Sequence, residues 1–234
     1  MSNAPWHLRN IRKLIYAGLA VIVVWIGYSS VSDAPNPAQA WVQAREFYGL
    51  WALALLVTSM LPGPLNFVLP WLPIRGHLVL GRRALGVSAF ILAVLHVACY
   101  LWPTIRRNWH ELYTPGTLWI AGLALGLVLF SAMATLAYTS RNSAVRRLGP
   151  QRWKRWHRSV YVLLPAALLH AIFLGADFGL NKGPDVVAEA DAGCLVTMLL
   201  VAGAWLLLFV LRRRRVRWTP RMLQSEQAIK AAKT

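Results

Sequence analysis

Three of the six histidines stand where an imidazole is costly to place. His96 lies in the run Phe90-Ile91-Leu92-Ala93-Val94-Leu95-His96-Val97-Ala98. His170 lies in Leu163-Leu164-Pro165-Ala166-Ala167-Leu168-Leu169-His170-Ala171-Ile172. Neither has a charged residue within a helical turn. An ionisable group in hydrocarbon usually marks function. Two neutral imidazoles at one depth on neighbouring helices can occupy both axial positions of a heme iron, which replaces their lost hydration with metal–nitrogen bonds. A lone buried histidine can instead hydrogen-bond a backbone carbonyl or a Ser/Thr hydroxyl across helices. Two at matched depth, with no carboxylate in the expected spans, favour ligation. A proton relay would bring Asp or Glu into the membrane, and zinc would need a third N, S or O ligand.

His157 is different in kind. It sits in Trp153-Lys154-Arg155-Trp156-His157-Arg158, at the mouth of the helix that carries His170. Thirteen residues separate the two, ~20 Å of helical rise and ~220° of phase, so an ideal helix sets them on different faces. Pro165 lies between them and can kink the helix. His157 is therefore either a headgroup contact or the ligand of a second, cytoplasm-side redox centre. Arg82, Arg83 and Arg158 stand where the propionates of such a centre could pair, and membrane topology explains them equally well. His7, His77 and His110 fall in tails or loops. Cys99 and Cys194 lie in apolar runs without a CxxC, which argues against a disulfide scaffold, a thiolate zinc site or a Cys-ligated cluster.

The elements that must hold these histidines follow from hydropathy. The chain has 234 residues, is 57% hydrophobic and only 14% charged, yet carries a net charge of +17. A nucleic-acid binder would be basic without being this apolar. A membrane protein with its charge on one side fits both facts. Spanning helices need about 20 mostly apolar residues. Six are predicted, at 14–31, 47–62, 85–103, 117–139, 159–176 and 193–211. The expected organisation is a cytoplasmic tail over 1–13, an all-α six-span bundle over 14–211 and a basic tail over 212–234. The proline-broken stretch 63–74 reads as interfacial. Gly122-xxx-Gly126 in the fourth span reads as a close-packing motif. In the alternating model 21 of the 25 Lys and Arg fall on the side of the termini and 4 (Arg45, Arg106, Arg107, Lys182) on the other. Seven of the eight acidic residues fall outside with those 4. The positive-inside rule then makes both termini cytoplasmic. For most of the basic residues, topology and attraction to anionic lipid suffice.

Three stretches together resemble one family. They are Arg82-Arg83-Ala84-Leu85-Gly86 followed by Leu95-His96 and Tyr100; Leu148-Gly149 through Trp153, His157-Arg158 and Tyr161; and His170, thirteen after His157. The pattern resembles the ferric reductase-like transmembrane family, and within it the heme-binding membrane subunits of bacterial periplasmic methionine sulfoxide reductase systems. The resemblance implies a b-type cytochrome in the inner membrane with His96, His170 and His157 as ligands to heme iron. It implies electrons taken from the quinone pool or a cytosolic flavin reductase and passed to a periplasmic molybdopterin-containing reductase subunit. FMN binding is also attributed to the family. Larger members carry four ligand histidines and flavin and NAD(P)H modules. Here Arg83 stands thirteen before His96, and there is no GxGxxG or P-loop. An electron-transfer subunit with no catalytic residue of its own is therefore expected. The alternatives are a free-standing ferric or quinone reductase, or a heme-free transporter or scaffold with structural histidines.

Overall fold

The computed structural model describes residues 6–62, 75–107 and 117–174, and, further on, residues 200, 202–204, 206–207, 209–211 and 213. Among these residues the regular structure is all helical. The helices are α1 (Trp6–Ser32), α2 (Pro37–Met60), α3 (Arg75–Arg107), α4 (Thr117–Thr139), α5 (Asn142–Leu148), α6 (Pro150–His157) and α7 (Val160–Leu174). Four stretches are long and apolar enough to cross a membrane: Asn10–Ser32, Val79–Arg106, Thr117–Thr139 and Pro150–Leu174. A shorter apolar helix, Ala202–Leu211, falls within the sixth expected span. The interfacial stretch 63–74 and most of 193–211 lie outside the described residues.

Side chains on the outside confirm the solvent. Val24 and Tyr28 on α1 are 70% and 73% exposed, and Leu127 on α4 and Val162 on α7 are open to a similar degree. A helix apolar on its outer face has acyl chains around it rather than water. The chain is a multi-pass membrane protein, and the six-span order is compatible with the described helices.

The second expected span is longer than hydropathy alone indicated. α2 begins at Pro37, not 47, because Asn36 caps it: its side chain accepts from the Gln39 amide at 3.0 Å. Proline at the first position lacks only a donor that would be unpaired anyway. This moves Arg45 and Glu46 from the expected outer loop onto a helix, where they pair at 3.4 Å. α2 is not one of the four most apolar helices, since Gln39, Gln43, Arg45 and Glu46 dilute its first half.

Two helix pairs build the bundle. α2 packs along α3, and α4 along α7, while α1 covers α2 and α3. Leu19 and Ile26 of α1, Tyr48 of α2 and Leu92 and Cys99 of α3 form one buried cluster. The Tyr48 hydroxyl crosses to the Val23 carbonyl at 3.2 Å. Leu56, Met60, Ala89, Val160 and Leu164 form a second cluster that ties α7 onto α2 and α3. The chain then turns at Gly149, whose φ of 74° and ψ of 151° lie in a region open essentially to glycine alone. Its amide closes α5 on the Val145 carbonyl, and Pro150 opens α6.

Pro165, which can kink a helix, lies inside α7, and the helix breaks elsewhere. α7 runs through Pro165, and the helix is interrupted at Arg158 and Ser159, where the amides bond to Arg155 and Trp156 carbonyls in tight turns. His157 and His170 therefore sit on separate helices, and the single-helix phase between them no longer applies.

Candidate functional site

His96 on α3 and His170 on α7 face one another across the two helix pairs. Their ring centroids are 6.3 Å apart with planes at 74°. Both rings are half-buried. Each is tied to the backbone of the helix beside it: His96 Nδ1 lies 2.8 Å from the Arg45 carbonyl and His170 Nδ1 lies 2.9 Å from the Gly122 carbonyl. A carbonyl oxygen can only accept, so both Nδ1 atoms carry the proton and donate. Both Nε2 atoms then keep their lone pairs. The carbonyls that hold these rings lie on the fifth residue after Thr117 and the eighth after Pro37, so the pair sits roughly 8–12 Å from those helix ends. In the arrangement expected from the charge distribution, these are the outer ends.

Two neutral imidazoles with free Nε2 atoms suit a metal with two axial positions. With ring centroids 6.3 Å apart, His96 and His170 are near enough that both could serve one metal ion. Close by, Trp119 Nε1 is buried with no hydrogen-bond partner among the described residues, and its ring lies 6.3 Å from that of Tyr100, one turn beyond His96. The donor set, the spacing and this orphaned N–H fit a heme carrying acidic side groups. Carbonyl donation from Nδ1 is also the usual support of a metal-bound imidazole, because it fixes the tautomer and raises ligand basicity.

Glycines make room for the rings. A Cβ on Gly49 would stand 2.8 Å from His96 Nδ1, and one on Gly126 would stand 2.6 Å from His170 Cε1. Gly122 and Gly126 thus do more than pack helices: the first supplies the carbonyl and the second the clearance, while a Gly122 Cβ would meet Leu174 at 2.6 Å. Sequence reasoning treated this motif as packing alone. The signal was present as glycine four residues after each accepting carbonyl, at Arg45/Gly49 and Gly122/Gly126, but it becomes visible only once the histidines are paired with their helices.

His157 is not brought to this pair. The Thr139 carbonyl and hydroxyl that anchor its surroundings lie 17 residues along α4 from Gly122, about 25 Å of rise. His157 Nε2 is 3.2 Å from Thr139 Oγ1. That hydroxyl donates its own hydrogen to the Thr135 carbonyl at 2.7 Å, so it accepts from His157. While that hydrogen stays on the Thr135 carbonyl, His157 carries its proton on Nε2, the opposite tautomer to the pair, and Nδ1 keeps the lone pair. Trp153 stacks on the ring at 4.1 Å and donates Nε1–H to the Thr139 carbonyl at 2.9 Å. These two partners, Thr139 and Trp153, were not expected from sequence.

A cavity of about 810 Å³ opens beside His157. Arg12, Arg82, Arg83, Lys154 and Arg158 line it with His157, and Leu56, Met133, Leu136 and Val160 form its apolar wall. The three arginines expected near a cytoplasm-side centre thus share one cavity with His157. Arg82 and Arg158 are exposed. Arg83 is partly committed: it hydrogen-bonds the Asn142 side chain and lies 5.9 Å over the Trp153 ring. Several cations on an apolar cleft of this size suit a ligand with an apolar body and anionic groups.

Residues 48–168 match the model of the ferric reductase like transmembrane component family. That stretch holds Gly49, His96, Gly126 and His157, and ends two residues before His170. The protein-methionine-sulfoxide reductase heme-binding subunit MsrQ of Polaromonas naphthalenivorans is 31% identical over 206 residues, covering 86% of this chain and 87% of the relative. The MsrQ of Caulobacter vibrioides is 32% identical over 152 residues, covering 65% of this chain and 68% of the relative. The magnetosome protein MamZ of Magnetospirillum gryphiswaldense is 30% identical over 196 residues, which are 79% of this chain and 29% of that longer protein.

Proposed function

Because the chain belongs to the ferric reductase-like transmembrane family, we propose that it is a b-type cytochrome subunit that relays electrons across the bacterial inner membrane. The observation that carries this reading is the His96–His170 pair at 6.3 Å, each ring presenting a free Nε2. His96 and His170 would hold the heme iron, which when bound supplies one-electron exchange. The chain contributes the rest. α3 and α7 fix the depth of the two ligands, the Arg45 and Gly122 carbonyls keep Nδ1 protonated, and the apolar helices exclude water.

At the other end, His157 and the arginines Arg82, Arg83 and Arg158 would receive a second redox group. The cavity suits a second heme by its propionates, or FMN by its phosphate. His157 would ligate through Nδ1, or through Nε2 after releasing Thr139. The cytoplasmic end would take electrons from the quinone pool or a cytosolic flavin reductase. The outer end would pass them to a periplasmic molybdopterin-containing reductase subunit that reduces methionine sulfoxide in proteins. That orientation, with both termini cytoplasmic, rests on the charge asymmetry. On this reading the chain has no catalytic residue of its own for the final substrate.

The test is a visible spectrum of the purified protein from heme-replete cells. A Soret band and an α band that sharpens on dithionite are expected. His96→Ala and His170→Ala should each remove most bound heme, and His157→Ala should remove less, or only a second species. A colourless, iron-free preparation overturns the cytochrome reading. Equal heme in all three variants overturns the ligand assignment.

A further inference from the structure

The two histidines are seated by one repeated device. In an α-helix the carbonyl of residue n accepts from the amide of residue n+4. At Arg45 and at Gly122 a histidine from the neighbouring helix adds a second donor to that same carbonyl. In both cases residue n+4 is glycine, Gly49 and Gly126. A Cβ there would stand 2.8 Å from His96 Nδ1 and 3.1 Å from Cε1 in the first case. In the second it would stand 2.6 Å from His170 Cε1 and 3.0 Å from Nδ1. Real Cβ atoms do not approach a ring so closely, and the imidazole cannot bend away without leaving its carbonyl. Gly18, Gly203 and Gly81 differ: a Cβ on Gly18 or Gly203 would meet nothing within 4 Å, and one on Gly81 would meet the flexible end of Ile15 at 2.6 Å and Ile11 at an ordinary 3.6 Å.

We propose that Gly49 and Gly126 are positioning residues, each opening a notch in its helix through which a heme-ligand imidazole reaches the carbonyl four residues earlier and turns its Nε2 toward the metal. The inference rests on the heme reading above and concerns how the ligands are aimed. A methyl group in either notch would lift the ring off its carbonyl. Nδ1–H donation would weaken, the imidazole would become a poorer donor to iron, and the reduced state would gain relative to the oxidised one. The matching offsets on α2 and α4 make the two sites equivalent in construction although their sequences differ.

The experiment uses the full chain in detergent, with Gly49→Ala, Gly126→Ala and the packing control Gly81→Ala. Heme per protein, the low-spin bis-imidazole EPR signal and the midpoint potential are read for each. Loss of a supporting hydrogen bond to a ligand histidine costs 10–100-fold in affinity, so heme retention should fall by about that factor at Gly49 and Gly126. The heme that remains should show an altered EPR signal and a raised potential. Gly81→Ala should match wild type. Where a variant loses all heme, unfolding of Gly126→Ala is compared in the wild-type and His170→Ala backgrounds. The glycine variant should be costly only when the ring is present. Wild-type-like signals at Gly49 and Gly126, equal damage at Gly81, or an equal cost in the two backgrounds each overturn the notch while leaving the cytochrome intact. A wild-type chain without heme overturns the parent reading and the notch with it.

Discussion

Replacing Thr139 by valine removes a hydroxyl and keeps the branched shape. The hydroxyl does two things: it donates to the Thr135 carbonyl at 2.7 Å and accepts from His157 Nε2 at 3.2 Å. Losing the first bond costs little, because a Thr side chain bonded back to its own helix is close to neutral. Losing the second leaves a half-buried N–H without its acceptor. A net protein hydrogen bond is worth about 0.5–1.5 kcal/mol, and coupled polar pairs between membrane helices average about 0.6 and reach about 1.7 kcal/mol. At 3.2 Å the bond is long for N–H···O, which places its coupling at about 0.5–1 kcal/mol. The Trp153 bond to the Thr139 carbonyl is backbone-directed and survives the change. The assay is a double-mutant cycle of Thr139→Val and His157→Ala, read by equilibrium unfolding in mixed micelles titrated with SDS. Thr139→Ser, which keeps the hydroxyl, should retain the coupling. Additivity within about 0.3 kcal/mol, or a Thr139→Ser that behaves like Thr139→Val, would refute both the bond and the tautomer deduced from it.

Two further outcomes follow from the same geometry. In protein expressed without heme and labelled with 15N-histidine, the nitrogen shifts and couplings should report His96 and His170 as Nδ1–H tautomers and His157 as Nε2–H; one common tautomer for all three contradicts the hydrogen-bond assignment. Gly149→Ala should destabilise the protein by about 1–3 kcal/mol through backbone strain alone, since a Cβ there meets nothing within 4 Å, whereas Gly18→Ala, equally uncrowded inside α1, should be neutral or stabilising by up to about 1 kcal/mol; thermal unfolding of the two variants side by side decides it, and equal stability denies the special conformation at Gly149.

The pairing of His96 with His170 was legible in the sequence because an apolar run has no ordinary use for an imidazole. Matched depth then linked His96 to His170 without any structure. What supports them was not legible, because both acceptors are backbone carbonyls and leave no residue signature. Glycine is common in membrane helices, so Gly126 read as packing. The start of α2 was missed for a different reason. Its first half is too polar for a hydropathy window, although Asn36-Pro37 is a helix-start signature that a search for caps would find. Pro165 does not end α7, since losing one hydrogen bond does not break a helix held by neighbours on several sides. The break came at Arg158-Ser159, which has neither glycine nor proline to announce it.

The two ends of the bundle differ most in what they do to a ring. At one end a carbonyl receives the imidazole, and a carbonyl leaves no choice: Nδ1 must donate and Nε2 must stay free. At the other a hydroxyl receives it, and a hydroxyl can turn. Thr139 accepts from His157 only while its hydrogen is committed to the Thr135 carbonyl. If it rotates, it can donate to the ring instead, and the ring can exchange its tautomer. The His96 and His170 rings are therefore each held in one tautomer, while His157 has a partner that permits two. That asymmetry accords with the proposal that the pair holds one cofactor while the cavity beside His157, lined by Arg12, Arg82, Arg83, Lys154 and Arg158, admits a group with its own anionic contacts.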